Sequence, residues 1–435
     1  MSKRVIVALA VLSLAALFVG VQPHRLGVTV TEDESASSTR FLSDYYRQWV
    51  GAQPLADPNF FPIGVFLQDP RRERNGRANG DNYAELGFNI LVGVWEELSQ
   101  EHLDAVPEGM YVMPSPQGDV AMSSPKVIGY VIADEPDLPL HPEYGGCILP
   151  SDLERLVEES HTYDSTRPAY VNFGRHIAYP GYYGGHNCPD TDGQEEWNRA
   201  MEGKLANQID PHDPVTNFIP DYDHAMEYAW LEPVDIASVD HYATTDVYTH
   251  PFNQQPWGYG RMVRRMNTFA RGKPGWAFIQ VTEIGVESQG KPMPHEIRGF
   301  VWLSLINGAQ GIEYFVHCFA PRFIEDCLLE DPEMMAAVKA VNFQIRALAP
   351  ILNTPDSPDT PHTETGAGVD VMAKVYDHTT YVFAVGSRSG PSEATFTVDG
   401  AAVEVLGENR TIPVIDGQFS DHFDDYTVHL YRVRR

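Results

Sequence analysis

From about residue 60 onward the chain alternates short apolar runs with amphipathic stretches. The runs are 62–67 (PIGVFL), 88–94, a weak one at 110–113, 127–133 (VIGYVIA), 169–173, 235–239, 277–281 and 312–316. Uninterrupted apolar runs of this length fit strands buried on both faces, and the intervening stretches carry helical spacing. Residues 151–161 open with Ser151 as an expected N-cap and Glu154 three positions on, the pattern of a capping box. Residues 260–270, 295–306 and 331–348 have apolar positions three and four apart. After the third run a stretch rich in Ser, Pro and Gly shows no helix. Alternating strand and helix predicts an α/β fold with a parallel sheet. Eight strands without a G-x-G-x-x-G after the first point to a closed (β/α)8 barrel, the TIM-barrel architecture, rather than an open doubly wound sheet.

The texture changes after residue 350. Residues 352–368 are rich in Thr, Pro and Asp, and strand-like alternation then fills 369–376, 380–385, 394–398, 402–406 and 426–433. We read a barrel domain over 41–352 and a small all-β sandwich over 366–435, expected to pack on the barrel as a structural appendage.

Residues 1–40 stand apart. Lys3 and Arg4 precede an apolar run over 5–21 broken by Ser13, and 29–38 are acidic and small. This reads as a signal peptide or an N-terminal anchor followed by a linker, so export or display at the cell surface is expected. Any membrane attachment would run through this segment alone. Four cysteines in an exported chain favour disulfides. Of the three pairings, Cys318–Cys327 is favoured by closeness in sequence and Cys147–Cys188 by placement in neighbouring loops. A net charge of −29 argues against nucleic acid as a partner, because phosphates require Lys and Arg. The sequence gives no reading of the oligomeric state. No His, Asp or Glu cluster has metal-ligand spacing, so neither metal nor cofactor is expected. Asn409-Arg410-Thr411 matches a glycosylation acceptor, a weak signal alone.

Barrels of this class work at the C-terminal ends of their strands. The fourth run reads GYVIADEP and ends on Asp134, Glu135 and Pro136; the seventh reads FIQVTEIG and places Glu283 at its tip. Two carboxyl groups facing one pocket are what glycoside hydrolysis requires: one protonates the leaving oxygen, and the other attacks the anomeric carbon or activates water. Around them stand candidate substrate ligands: Asp240, His241 and Tyr242 (SVDHY), Asn172, Gln68 and Asp69, Trp95 and Glu96, and Tyr314 with His317. The loop over 175–220 (YPGYYGGHNC within it) is expected to build a cleft wall.

The Asp-Glu-Pro ending the fourth run and the Thr-Glu-x-Gly ending the seventh resemble the clan A glycoside hydrolases, the retaining (β/α)8 superfamily. The resemblance covers the barrel. It implies Glu135 as acid/base, Glu283 as nucleophile, and Tyr242 as a contact of the nucleophile. This chain departs from that pattern: Asp134 stands where Asn is common before the acid, and Asp240 where His is common two residues before the Tyr. Asp134 adds a charge beside Glu135, which would favour its protonated form. Gln280 is a polar residue inside strand seven. Two functions are carried forward: a retaining glycosidase acting on an oligo- or polysaccharide, and a surface barrel that binds carbohydrate without cleaving it.

Overall fold

Eight parallel strands make one sheet: β1 (Ile63–Phe66), β2 (Ile90–Val92), β3 (Tyr111–Met113), β4 (Tyr130–Asp134), β5 (Ala169–Phe173), β6 (Ile236–Val239), β7 (Gly275–Gln280) and β8 (Gly311–Phe315). They are seen in a computed structural model that describes residues 42–137, 148–178, 225–242, 244–245, 254–285, 290–358, 360 and 368–435. Hydrogen-bonded neighbours follow the order β3-β2-β1-β8-β7-β6-β5-β4. The two outer strands also meet. Val112 bridges Val127 in parallel, the Ile128 N–H donates to the Val112 carbonyl at 3.1 Å, and the Val131 N–H donates to the Pro114 carbonyl at 3.0 Å. The sheet is therefore a closed barrel. Strands β1, β2, β5, β6, β7 and β8 are buried along their whole length, as parallel strands covered by helices must be.

The helices outside the barrel include α2 (Asn79–Glu85), α3 (Gln100–Asp104), α4 (Asp119–Ser123), α5 (Pro150–Tyr163), α6 (Ala225–Leu231), α7 (Trp257–Ala270), α8 (Ile297–Ile306) and α9 (Pro332–Leu352). Two local expectations are corrected. Helix α4 occupies the place after β3 that read as a loop; its 5 residues are too few to show a period. Helix α5 starts one residue before Ser151. Pro150 opens it, and the Asp152 carboxylate accepts from the Leu149 N–H at 3.3 Å, so Ser151 caps nothing.

The N-terminal end of the barrel is plugged. Helix α1 (Leu42–Tyr46) and the 3-10 turn over Val50–Ala56 lie beneath it. The Tyr45 hydroxyl donates to the Asp235 carbonyl at 2.8 Å, the Gly51 N–H to the Thr166 carbonyl at 2.9 Å, and Trp276 Nε1 to the Tyr46 hydroxyl at 3.3 Å. Tyr46, Trp49 and Leu55 pack into the same cluster as Ile90, Ile128, Tyr170, Ile236, Trp276 and Phe278, the side chains that fill the barrel.

The C-terminal strands are β9 (Val369–Tyr376), β10 (Thr379–Gly386), β11 (Ser392–Thr397), β12 (Ala402–Val405), β13 (Arg410–Pro413), β14 (Gln418–Phe423) and β15 (Val428–Arg434). They form two antiparallel sheets, β9-β10-β15-β12-β13 and β11-β14, closed over Phe396, Phe419, Phe423 and Tyr431. Strands β13 and β14 were not expected: Pro413 interrupts one run and polar residues dominate the other. The domain sits on α8 and α9. Trp302 lies 5.1 Å from Phe383 between ring centroids, Asn307 Nδ2 donates to Asp370 at 2.8 Å, and Arg298 donates to the Val428 carbonyl at 2.7 Å.

The Cys318–Cys327 disulfide is formed in the segment after β8, with Cα atoms 5.7 Å apart. Cys147 and Cys188, the N-terminal apolar segment, and the 175–220 loop from residue 179 onward lie outside the described residues.

Candidate active site

Strand β4 delivers its acids to the barrel mouth by an irregularity. Its register against β5 pairs Val131 with Tyr170 but Ala133 with Val171, so one residue is added on the β4 side. A bulge shifts the alternation of faces. Asp134, opposite Asn172, thus takes the inward face that Ala133 would otherwise hold. Glu135 follows with φ 44°, a left-handed conformation unusual for a residue with a Cβ. Its N–H donates to the Asn172 carbonyl at 2.8 Å.

Four groups from three strand ends meet here. Asn172 Nδ2 donates to Asp134 Oδ1 at 2.8 Å and also reaches Asp240, which follows β6. The Asp240 carboxyl is hydrogen-bonded to that of Glu135. Burial pushes Asp134 up to about 6, against the Asn172 hydrogen bond that lowers it and with the Asp137 charge that raises it. Asp240 is held well above the usual carboxylate range, first by burial and then by the charges of Glu135 and Asp134. Two carboxyl groups in contact cannot both ionise without severe repulsion. The Glu135/Asp240 pair therefore holds a proton above the usual carboxylate range and titrates as a unit. Tyr242 stands beside the pair, and its phenol is pushed up by burial and then by Asp240 and Glu135. Asp137 carries the turn after β5, accepting from the Gly174 N–H at 2.7 Å and the Ile177 N–H at 3.1 Å.

Glu283 follows β7, the next strand round from β6, and is exposed to solvent. The inward position at the end of β7 belongs to Gln280. Its Oε1 accepts from the Thr245 hydroxyl and its Nε2 donates to the Thr282 carbonyl at 2.8 Å, so it is a structural tie between two rim segments. Thr282 is tied in turn to the His317 carbonyl at 2.7 Å.

Across the mouth, after β2 and β8, an aromatic group gathers. Trp95 meets His317 and Phe323, each at 5.8 Å between centroids, and Phe319 lies 5.4 Å from Phe323. Phe323 is 48% exposed. The disulfide joins the two ends of the segment that carries Phe319 and Phe323.

Three expected substrate ligands are engaged elsewhere. Tyr314 faces outward from β8: it packs on Phe88, and its hydroxyl donates to Asn342 of α9 at 2.7 Å. It alternates with Glu313 and Phe315, and those two take the inner face. Gln68 is wholly buried. Its amide nitrogen lies within 3.2 Å of the Phe66, Leu67 and Glu325 carbonyls and of His317 Nε2, and its oxygen accepts from Tyr83 at 2.6 Å. It secures the strand end, wholly buried there. Asp69 is spent on Arg71, with Nη2 to Oδ2 at 2.8 Å. Sequence reasoning missed Glu313, Tyr170 and Ser238, which lie below the carboxyl cluster inside the barrel. The signal for Glu313 was available, as a lone acid within an apolar strand.

No family model matches this chain, and no curated protein does. Among solved structures, the α-amylase from Geobacillus thermoleovorans complexed with acarbose is 11% identical, covering 87% of this chain and 99% of its own at a TM-score of 0.35. A GH30 endoxylanase from Clostridium papyrosolvens is 11% identical, with 86% and 96% covered and a TM-score of 0.39. A maltogenic α-amylase from Thermotoga neapolitana is 10% identical, with 87% and 99% covered and a TM-score of 0.40.

Proposed function

We propose that this protein is a glycoside hydrolase that cleaves an oligo- or polysaccharide with retention of configuration. The observation that carries the reading is the proton-sharing contact of Glu135 with Asp240 at the barrel mouth. A carboxyl group whose proton is held by a neighbouring carboxyl above the usual range is the acid that glycosidic cleavage needs. Glu135 gives this proton to the leaving oxygen as the exocyclic C–O bond breaks. Glu283, open to solvent on the neighbouring strand pair, attacks the anomeric carbon and forms a glycosyl ester. Glu135, now ionised, takes a proton from water. The water oxygen displaces Glu283, and the proton taken from water restores the pair for the next cycle. Asp240 keeps the proton in place between turnovers, and Asn172 orients both aspartates. The apolar segment over 5–21 is proposed to export the chain.

The test is labelling with a panel of 2-fluoro glycosides that trap the ester, followed by peptide mass analysis. The expected result is one adduct on Glu283, absent in Glu283→Gln. An adduct elsewhere, or hydrolysis with inverted product, overturns the assignment. A carbohydrate-binding barrel without cleavage is the second reading. Gln280, at the inward rim position of β7, favours it. It would be supported by sugar binding without hydrolysis across the same panel.

A further inference from the structure

Beneath the carboxyl cluster lies a line of hydrogen bonds whose direction can be worked out atom by atom. Glu313 Oε2 lies 2.5 Å from the Tyr170 hydroxyl, which lies 2.5 Å from Ser238 Oγ. Ser238 Oγ donates to Asn172 Oδ1 at 2.7 Å, and Asn172 Nδ2 donates to Asp134 at 2.8 Å. An amide oxygen only accepts, so the single Ser238 proton is committed to Asn172. Ser238 must then accept from Tyr170. That uses the single proton of Tyr170, which must itself accept from Glu313. A carboxylate cannot donate, so the line is satisfied only if Glu313 carries a proton. Were Glu313 ionised, Tyr170 would turn its proton toward it, leaving two bare oxygens facing each other at 2.5 Å.

The alternative is to rotate the Asn172 amide and run the line backward. That would set its oxygen against Asp134 Oδ1 at 2.8 Å and withdraw the N–H from Asp240 as well. The amide nitrogen faces two carboxyl groups, which fixes its orientation.

We infer that Glu313 is a neutral carboxylic acid in the native protein, and that its hydroxyl sets, through Tyr170 and Ser238, the orientation of the Asn172 amide at Asp134 and Asp240. Glu313 is a positioning residue. Its surroundings agree: it is 0% exposed, and its Oε1 has no hydrogen-bond partner. Charge and hydrogen bonding reach it from Tyr170 on β5 and Asp134 on β4, with no base among them. A buried carboxylate with one bare oxygen and no cation beside it among the described residues would be far costlier than the acid. Room for it is made on β1 by Gly64, where a Cβ would stand 3.4 Å from Glu313 Cγ and 2.9 Å from Val92 Cγ2.

The experiment is infrared difference spectroscopy of the full chain, wild type minus Glu313→Gln. At neutral pH and about one unit above it, the expected spectrum contains the carbonyl stretch of one protonated carboxyl that shifts in D2O. Carboxylate stretches in its place overturn the inference. This readout does not depend on the glycosidase reading; the effect on turnover does. Given that reading, Glu313→Leu should lower kcat about 10-fold and move the acidic limb of the pH profile upward. Glu313→Gln, whose amide still donates to Tyr170, should restore most of both. Tyr170→Phe cuts the same line elsewhere and should reproduce the leucine phenotype, which covers the case of a poorly folding Glu313→Leu. An unshifted pH profile in Tyr170→Phe overturns the positioning role even if the carboxyl is neutral.

Discussion

Glu135 and Asp240, brought from the ends of β4 and β6, are hydrogen-bonded through their carboxyl groups. The contact requires a proton, and the proton's affinity depends on the second carboxyl being there. Asp240→Asn keeps the shape and removes the titrating partner. Glu135 then loses a like-charged neighbour and its own proton leaves at lower pH. The basic limb of the pH–rate profile should move down and kcat should fall about 10–100-fold at neutral pH. A profile with both limbs in place would remove Asp240 from the acid machinery.

Asn172 acts on Asp134 when that group is ionised. Burial raises Asp134 to about 6, so below that pH in the fold the carboxyl is neutral and needs the donor less. Asn172→Ala should therefore cost stability unevenly. Well above pH 6 the loss is that of a hydrogen bond to a charged group, about 1.5–3 kcal/mol. Well below that point it should shrink. Thermal unfolding of both proteins on the two sides of the transition measures this, and a constant difference would refute it.

His317 is buried, and desolvation lowers its pKa to about 4. In the unfolded chain it would titrate near 6.5. The unfolded state thus binds a proton over a range in which the folded state does not. Stability contributed by the neutral ring is complete above pH 6.5 and is lost as pH falls toward about 4. The loss over that window should be about 3 kcal/mol. His317→Gln should flatten the fall of Tm between those limits, and an unchanged slope would contradict the assignment.

The Cys318–Cys327 bond closes a separation of 9 residues and joins the ends of the segment bearing Phe319 and Phe323. For a loop this size the stabilisation is about 2.5 kcal/mol. Cys318→Ser with Cys327→Ser should lower Tm accordingly. Because Phe323 packs on Trp95 and His317, tryptophan fluorescence should also change on reduction. Reduction without either effect would show that packing alone holds the segment.

The barrel was legible because eight apolar runs and their spacing depend on burial, which composition reports directly. The mouth was legible in part. Asp134, Glu135, Asn172, Asp240 and Tyr242 were singled out because they follow strand ends, and they do meet. Which acid points inward was not legible, because the β4 bulge breaks the two-residue alternation and adds one position without a sequence mark. Tyr314 was misplaced for the opposite reason: the alternation holds there, and it assigns the inner face to Glu313. Gln68 and Gln280 are polar residues at strand ends whose donors and acceptors are used within the protein, a distinction only coordinates can make.

The plug made by Tyr46 and Trp49 stoppers the N-terminal end of the cylinder, so that Glu313 lies between this stopper and the carboxyl groups at the opposite opening.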